Sequence, residues 1–275
     1  MRTSIKSALA IVSAVTIMSL TFAIPSGADS GGSTAVSGPP TIPCCGGGGD
    51  LYWGFDQLSR FTATSLSADE TSFGFPGWVG RYLTYGSPGF ALTTTEANML
   101  GTDGIPIRLF ASPGGSYGTT TEATTDADGA IAAADNSGGL GIAANTGVAI
   151  YLDVEPGMAI STAFINKWYS LISAAGFTPG FYERSTETTT GHFENTFCLA
   201  SATTIAGSLL YSQQPQVPST GATSASDYKY ANAPATYSPG YQGCESQPNS
   251  WQYLIAGTYS PVDVDEGATP GLWYS

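Results

Sequence analysis

The sequence predicts an α/β protein that folds as a single (β/α)8 barrel of the TIM type, with some irregularity. From Leu51 onward, short apolar runs alternate with turn-rich or Ala-rich segments, and eight of these runs have the length of strands. About 225 residues follow the start of the first run, which is a usual size for one barrel domain. Of the 275 residues, 42% are hydrophobic and 12% aromatic, so a sizeable core is feasible. A doubly wound open sheet is the alternative arrangement of the same elements.

Each predicted strand is a short apolar run bounded by turn-forming residues. The first, for example, carries Tyr52, Trp53 and Phe55, and the fourth leads into Asp153. The eight predicted strands cover residues 52–56, 78–83, 105–111, 148–153, 178–182, 209–212, 250–254 and 261–264.

The predicted helices lie between these strands. In the clearest one, apolar side chains such as Phe164 and Trp168 recur along one face at helical spacing, and Gly176 ends the helix. Another opens with Thr93 as its cap, and a third is rich in Ala. The predicted helices cover residues 93–100, 122–136, 161–175 and, with a weaker pattern, 199–209, and a long loop is expected at 215–247.

Residues 1–28 have the pattern of a secretory signal peptide. Arg2 and Lys6 form a positively charged start, an apolar run follows, and small residues ending at Ala23 or Ala28 offer cleavage sites. The sequence therefore predicts a secreted, extracellular protein. The alternative is an uncleaved membrane anchor, because the apolar run is about long enough to span a bilayer.

The rest of the chain divides into a linker and one domain. Residues 29–50 are mostly Gly, Ser, Pro and Thr and are predicted to be a flexible linker, and residues 51–275 form the barrel domain. The cysteines are Cys44, Cys45, Cys198 and Cys244. Export makes disulfides plausible, and Cys198 with Cys244 is the natural pair. Four cysteines allow three pairings, however, and the sequence does not choose among them.

The charge balance excludes several classes of partner. The chain has 21 acidic and 8 basic residues and a net charge of -13, and loss of Arg2 and Lys6 with the signal peptide would make it -15. So few cations cannot build the basic patch that nucleic acid requires, and an acidic surface disfavours anionic membranes. The sole histidine, His192, lies in a Thr-rich segment, and no nucleophile elbow or metal-ligand spacing is present. We therefore predict no metal and no cofactor.

Acidic residues interrupt three predicted strands at or near their ends. Asp56 ends the first, Asp153 and Glu155 end the fourth, and Asp263 and Asp265 lie at the end of the last. A (β/α)8 barrel has its active site at the carboxyl ends of the strands, where an ionised side chain is costly to bury unless it is paired. The alternative is that these acids cap helices or bind Ca²⁺.

The spacing of Asp153 and Glu155 suggests a reaction. Residues two apart on a strand point to the same face, so both side chains are expected to face the barrel mouth. Two crowded carboxylates do not ionise together easily, and one pKa rises. A protonated acid beside an ionised one is the arrangement that glycosidic bond cleavage requires.

Aromatic and amide side chains accompany these acids. The run 251–253 precedes Asp263, and tyrosines lie on other strands. Sugar rings stack on aromatic faces, whereas amides and carboxylates bind hydroxyls. The candidate substrate-binding residues are Asp265, Trp251, Gln252, Tyr253, Tyr82 and Tyr182. For any single tyrosine, the alternative is a place in the barrel core.

Several motifs taken in order resemble a glycoside-hydrolase-like domain of secreted bacterial proteins. These are Gly54-Phe55-Asp56, Trp78-Val79-Gly80-Arg81-Tyr82-Leu83, Leu92-Thr93 with Glu96, and Ile105-Pro106-Ile107. Asp153-Val154-Glu155, Trp251-Gln252-Tyr253 and Val262-Asp263-Val264-Asp265 are similar to motifs of the family-25 glycoside hydrolases, the lysozyme-type muramidases. Both resemblances imply a (β/α)8-type barrel, over roughly residues 51–270.

The resemblance to the muramidases implies roles for the acids. Glu155 takes the place of the general acid and Asp153 that of its partner, whereas Asp56 and Asp263 or Asp265 match the acids of the first and last strands. We therefore expect a secreted glycoside hydrolase that cleaves a polysaccharide, with cell-wall peptidoglycan as the leading candidate. The alternative is a catalytically inactive carbohydrate-binding or cell-envelope protein on the same barrel.

Overall fold

Eight strands close into a barrel in the computed structural model of the chain. The described residues are 41–42, 51–84, 89–113, 115–135, 138–155, 157–183, 192–213, 222–234, 237, 239–240, 244, 248–256, 260–268, 272–273 and 275. The predicted signal peptide, Cys44 and Cys45 lie outside them, and of the predicted linker only the two-residue strand Thr41–Ile42 is described. That strand pairs antiparallel with the start of the first barrel strand.

All eight predicted strands are present, and each begins within two residues of its predicted start. The strands are β1 (Leu51–Asp56), β2 (Val79–Thr84), β3 (Ile107–Ala111), β4 (Ala149–Val154), β5 (Thr178–Glu183), β6 (Leu209–Gln213), β7 (Ser250–Leu254) and β8 (Asp263–Ala268). The helices are α1 (Ala63–Phe73), α2 (Thr94–Thr102), α3 (Thr120–Ala134), α4 (Thr162–Ala174), α5 (Phe193–Phe197) and α6 (Ala202–Gly207). The closed, alternating order confirms the predicted (β/α)8-type barrel and not the open sheet.

The last strand runs against the others. β1 to β7 pair in parallel with their neighbours in chain order, whereas β8 is antiparallel to both β7 and β1. The prediction that Asp263 and Asp265 lie at the end of their strand is therefore wrong, because β8 begins at Asp263 and continues to Ala268. The reversal places Asp263 directly opposite Asp56, so the start of β8 lies at the carboxyl ends of the other strands.

The helices follow their capping and packing signals. In α4 the buried residues Phe164, Trp168 and Ile172 form the predicted apolar face. In α3, Thr119 and Glu122 form a reciprocal capping box, and alanines on one face are fully buried. The small alanine side chains let this helix pack closely with α4.

The sequence did not indicate α1 or α5. The buried apolar residues of α1 are only Leu66 and Phe73, so its helical pattern is weak, and its start is marked by the Thr62 cap. α5 spans five residues and precedes the weakly predicted helix, which is present as α6. The predicted long loop contains two 3₁₀ turns, Ala225–Tyr228 and Tyr230–Asn232.

Aromatic side chains fill the barrel interior. Trp78, Phe110, Tyr151 and Tyr211 are at most 2% exposed, and their rings contact one another at centroid distances of 5.5–6.1 Å. The buried Arg108 guanidinium stacks 4.3 Å above the Trp78 ring. The interior is thus a packed core below a polar mouth.

A disulfide joins Cys198, next to α5, to Cys244 in the long loop. This confirms the pair that the sequence favoured. The two cysteines are 46 residues apart in the sequence, and the bond between them anchors the loop between β6 and β7 to the helix layer. None of the helices in the described ranges is long and apolar enough to cross a bilayer.

Candidate active site

A pocket of about 240 Å³ opens at the carboxyl ends of the barrel strands. Acids, aromatic rings and amides form its wall. The lining residues are Asp56, Leu58, Tyr82, Glu155, Tyr182, Gln213, Gln252, Ile255 and Asp263. Six of the ten predicted site residues therefore lie in one pocket, although they lie on or directly after six different strands, β1, β2, β4, β5, β7 and β8.

Asp56 lies at the centre of the hydrogen bonds in this pocket. Its Oδ2 accepts hydrogen bonds from the Tyr211 hydroxyl at 3.2 Å and from Gln252 Nε2 at 3.4 Å. The side chain is buried, and this burial raises the pKa of Asp56 to about 6, although the donors, Tyr211 first among them, partly oppose the shift. Both donors point at Oδ2, so they stabilise the ionised form of the Asp56 carboxyl group.

Asp153 and Glu155 occupy different depths. Asp153 is 2% exposed, and its Oδ2 accepts a hydrogen bond from the Tyr82 hydroxyl at 3.0 Å. Burial, and then the charge of Glu155, hold the pKa of Asp153 well above its usual range. Glu155 follows the last residue of β4 and is exposed at the rim, and burial of part of its carboxyl, then the charge of Asp56, raise its pKa.

The acids of β8 form the opposite side of the site. Asp263 Oδ1 accepts a hydrogen bond from the backbone N–H of Ala256, and burial and the charge of Asp56 hold its pKa well above its usual range. Asp265 lies two residues deeper, paired with Gly54, and is fully buried. Its pKa is also raised well above the usual range, mainly by burial and by the charge of Asp56.

The two buried arginines have acidic partners that do not line the pocket. Arg81 forms an ion pair with Glu96 at 2.7 Å and donates to the backbone carbonyl of Gln57. Arg108 lies among the rings of the barrel interior, and among the acids its charge acts on Asp265. Within the described part of the chain, no three His, Cys, Asp or Glu side chains are grouped to hold a metal ion.

A chain of hydrogen bonds orients the amides of the pocket. Gln213 Nε2 donates to the Tyr182 hydroxyl at 2.8 Å, and Tyr182 donates to Gln252 Oε1 at 2.8 Å. Because a phenol has one proton to donate, this order leaves Gln252 Nε2 to face Asp56. Sequence analysis missed Gln213, although it ends β6 as Asp56 ends β1.

Trp251 and Tyr253 do not line this pocket. Side chains alternate between the two faces of a strand, so Gln252 faces the barrel mouth while its neighbours face the opposite way. Trp251 and Tyr253 line a separate pocket on that other face of β7. The predicted substrate-binding residues therefore fall into two groups.

Replacing Tyr211 with Phe is expected to raise the pKa of Asp56 above its value of about 6. The ring remains in the core, but the ionised carboxylate loses one donor, which contributes about 1 kcal/mol, or somewhat under one pKa unit. Carbon-13 NMR titration of the carboxyl groups measures this shift, with the Asp56→Asn chain used to assign the signal. An unchanged titration would show that the Tyr211 hydroxyl does not stabilise the charge of Asp56.

Comparisons with known proteins bear on the fold. An uncharacterised B. stearothermophilus protein, solved at 1.07 Å, matches with a TM-score of 0.68 and 23% identity, covering 80% of this chain and 99% of that one. The modular autolysin LytC from Streptococcus pneumoniae matches with a TM-score of 0.47 and 17% identity, covering 82% of this chain and 47% of its own. Its complex with a synthetic peptidoglycan ligand gives a TM-score of 0.48. This chain thus spans about half the length of the autolysin.

No family model matches the chain, and no curated protein matches it. The similarity to the B. stearothermophilus protein shows a shared barrel fold.

Proposed function

We propose that this chain is a glycoside hydrolase that cleaves a polysaccharide outside the cell. One observation carries the proposal: Asp56, Glu155 and Asp263 line a single pocket at the barrel mouth, and Asp153 lies close to it through Tyr82. Carboxyl groups with unequal environments provide the acid and the charge that this chemistry needs.

Glu155 acts as the general acid in this proposal. It lies at the rim, where a leaving oxygen can reach it, and its raised pKa keeps part of the population protonated at higher pH. Asp153 lies below it and orients the Glu155 side chain. Its bond from the Tyr82 hydroxyl holds it in that position.

Asp56 and Asp263 hold the attacking water or the hydroxyls of the substrate. Asp56 is the acid that receives two side-chain donors, Tyr211 and Gln252, and it therefore carries negative charge more readily. Asp263 faces it across the β1–β8 pair and retains a proton to higher pH. This difference supports Asp56 as the base.

The substrate has hydroxyl groups and apolar ring faces. Gln213 and Gln252 supply amides to the wall, and Tyr82 and Tyr182 supply ring surfaces beside them. Cell-wall peptidoglycan is the first substrate to test, because of the resemblance to the lysozyme-type muramidases. The disulfide agrees with an oxidising, extracellular location.

Hydrolysis is tested by incubating the purified barrel domain with peptidoglycan, chitin and xylan and measuring the reducing ends that are released. We expect release from peptidoglycan by the wild type, and none above background by the Asp56→Asn chain, which retains a similar volume at that position. Failure of the wild type to release reducing ends from all three polymers, together with retained glycan binding, would favour the inactive carbohydrate-binding alternative.

A further inference from the structure

A second pocket, of about 300 Å³, lies on the other face of β7 from the acids. Trp251 and Tyr253 form its floor, joined by Leu254, which follows an irregularity in the register of β7, and residues of the loop after β6 form its rim. The rim residues are Asp227, Asn232 and Pro234. None of these residues is shared with the acidic pocket.

The aromatic floor is fixed by its neighbours. The Trp251 and Tyr253 rings lie 5.6 Å apart at an angle of 56°, and the Tyr237 ring meets Trp251 edge-on at 6.1 Å. The Tyr253 hydroxyl accepts a hydrogen bond from Trp53 Nε1 at 2.8 Å. Rings that are already held lose little conformational entropy when a ligand binds.

The rim offers hydrogen-bond acceptors. Asn232 Nδ2 donates to the Ser226 carbonyl at 2.7 Å. The Asn232 Oδ1 therefore points away from Ser226. Asp227 accepts hydrogen bonds from the backbone N–H groups of Thr223 and Ser224, at 2.6 and 2.9 Å. A ligand that donates a hydrogen bond to Asn232 and is apolar where it contacts the floor therefore fits this pocket.

These contacts distinguish a sugar from a cation. Asp227 accepts four hydrogen bonds, from the backbone N–H groups and the hydroxyls of Thr223 and Ser224, and these occupy the roughly four acceptor positions of its carboxylate. A compact cation would therefore find no open acceptor position on Asp227. A pyranose ring has a hydroxyl donor at its edge for the Asn232 amide oxygen and C–H groups on its faces for the aromatic floor.

We infer that this second pocket is a non-catalytic glycan-binding site that holds one sugar ring of the polysaccharide. The choice of polysaccharide rests on the proposed function, whereas the binding itself does not require catalysis. The site would hold the barrel on an insoluble polymer while the acidic pocket engages a bond, because linked sites raise the effective concentration.

Binding is measured with the full barrel domain carrying Glu155→Gln, so that turnover cannot consume the polymer. The probes are insoluble peptidoglycan in pull-down isotherms and tri-N-acetylchitotriose in NMR titrations. Trp251→Ala is expected to weaken binding to the polymer about tenfold, and Asn232→Ala a few-fold, as for a central and a rim contact. Lys229→Ala is the matched control, since Lys229 is exposed on the same loop but does not line the pocket.

The outcomes separate this inference from the proposed hydrolysis. If the wild type does not cleave the polymer but binding falls with Trp251→Ala and Asn232→Ala, the glycan site stands and the hydrolase proposal fails. If both variants bind as tightly as the Lys229→Ala control, the inference is overturned. Binding that tetramethylammonium displaces and the trisaccharide does not would also overturn it. Should Trp251→Ala fail to fold by circular dichroism, the exposed Asn232→Ala decides the result.

Discussion

Replacing Glu155 with Gln is expected to lower kcat for polysaccharide cleavage by about 10³-fold, within the range that general acids contribute. Gln has nearly the same size and can form hydrogen bonds, but it has no proton to give to the leaving oxygen. Glu155 is exposed just beyond β4, so the change does not disturb the barrel core. Initial rates of reducing-end release, with unfolding curves for both chains, measure the effect.

The leaving group provides the control for this prediction. A 4-nitrophenyl glycoside leaves as a stabilised phenolate and needs little protonation, so the Glu155→Gln chain should retain much more activity on it than on the polymer. Loss of Asp56, which acts on the other side of the bond in our proposal, should reduce both rates. Equal loss on both substrates after Glu155→Gln would contradict its role as the general acid, and equal rates with the wild type would exclude Glu155 from catalysis.

Much of this site follows from local sequence patterns. The acids that follow apolar runs, Asp56 and Glu155, line the pocket because parallel strands bring their carboxyl ends to one edge. Asp263 joins them for a different reason, since β8 is antiparallel and begins at that edge. A pattern of apolar residues carries no information on strand direction. The position of Asp263 therefore follows only from the strands with which β8 pairs.

Trp251 and Tyr253 are predicted to bind substrate beside Gln252, but they face away from it. Strand alternation alone places both on the opposite face from Gln252, as the structure shows. Gln213 is different, because its part in the site depends on Tyr182, which is distant in sequence and meets it only in the folded barrel. Networks of this kind are tertiary and leave no local signal.

The free energy of unfolding is expected to fall as the pH rises from about 4 to 7, where most proteins gain stability or hold it. The pKa of Asp56 is 3.8 in an ordinary setting and about 6 in the folded chain. Between these values the native state keeps a proton that the unfolded chain has lost, so each rise in pH favours unfolding. Asp153, Asp263 and Asp265 have pKa values shifted in the same direction and add to the slope.

The size of the change in the free energy of unfolding follows from the pKa shift of Asp56. A rise from 3.8 to about 6 corresponds to at most about 3 kcal/mol for Asp56 at neutral pH. Asp56→Asn should therefore stabilise the chain at pH 7 and leave its stability near pH 4 almost unchanged. Asp128→Asn is the matched control, since Asp128 is exposed on α3 and does not line the pocket.

Urea unfolding between pH 4 and pH 8, followed by tryptophan fluorescence with the disulfide intact, tests this directly. The helix caps Glu122 and Asp227 have lowered pKa values and act in the opposite sense as the pH rises to their ordinary values of 4.5 and 3.8, so the window from about pH 5 to 7 is left to the buried carboxyls. A stability that is flat or rises across this window would show that the buried carboxyls are not held in their neutral form. A fall that Asp56→Asn makes smaller would mean that the chain sacrifices stability to keep an ionisable group in the pocket, which is expected of a site retained for its chemistry.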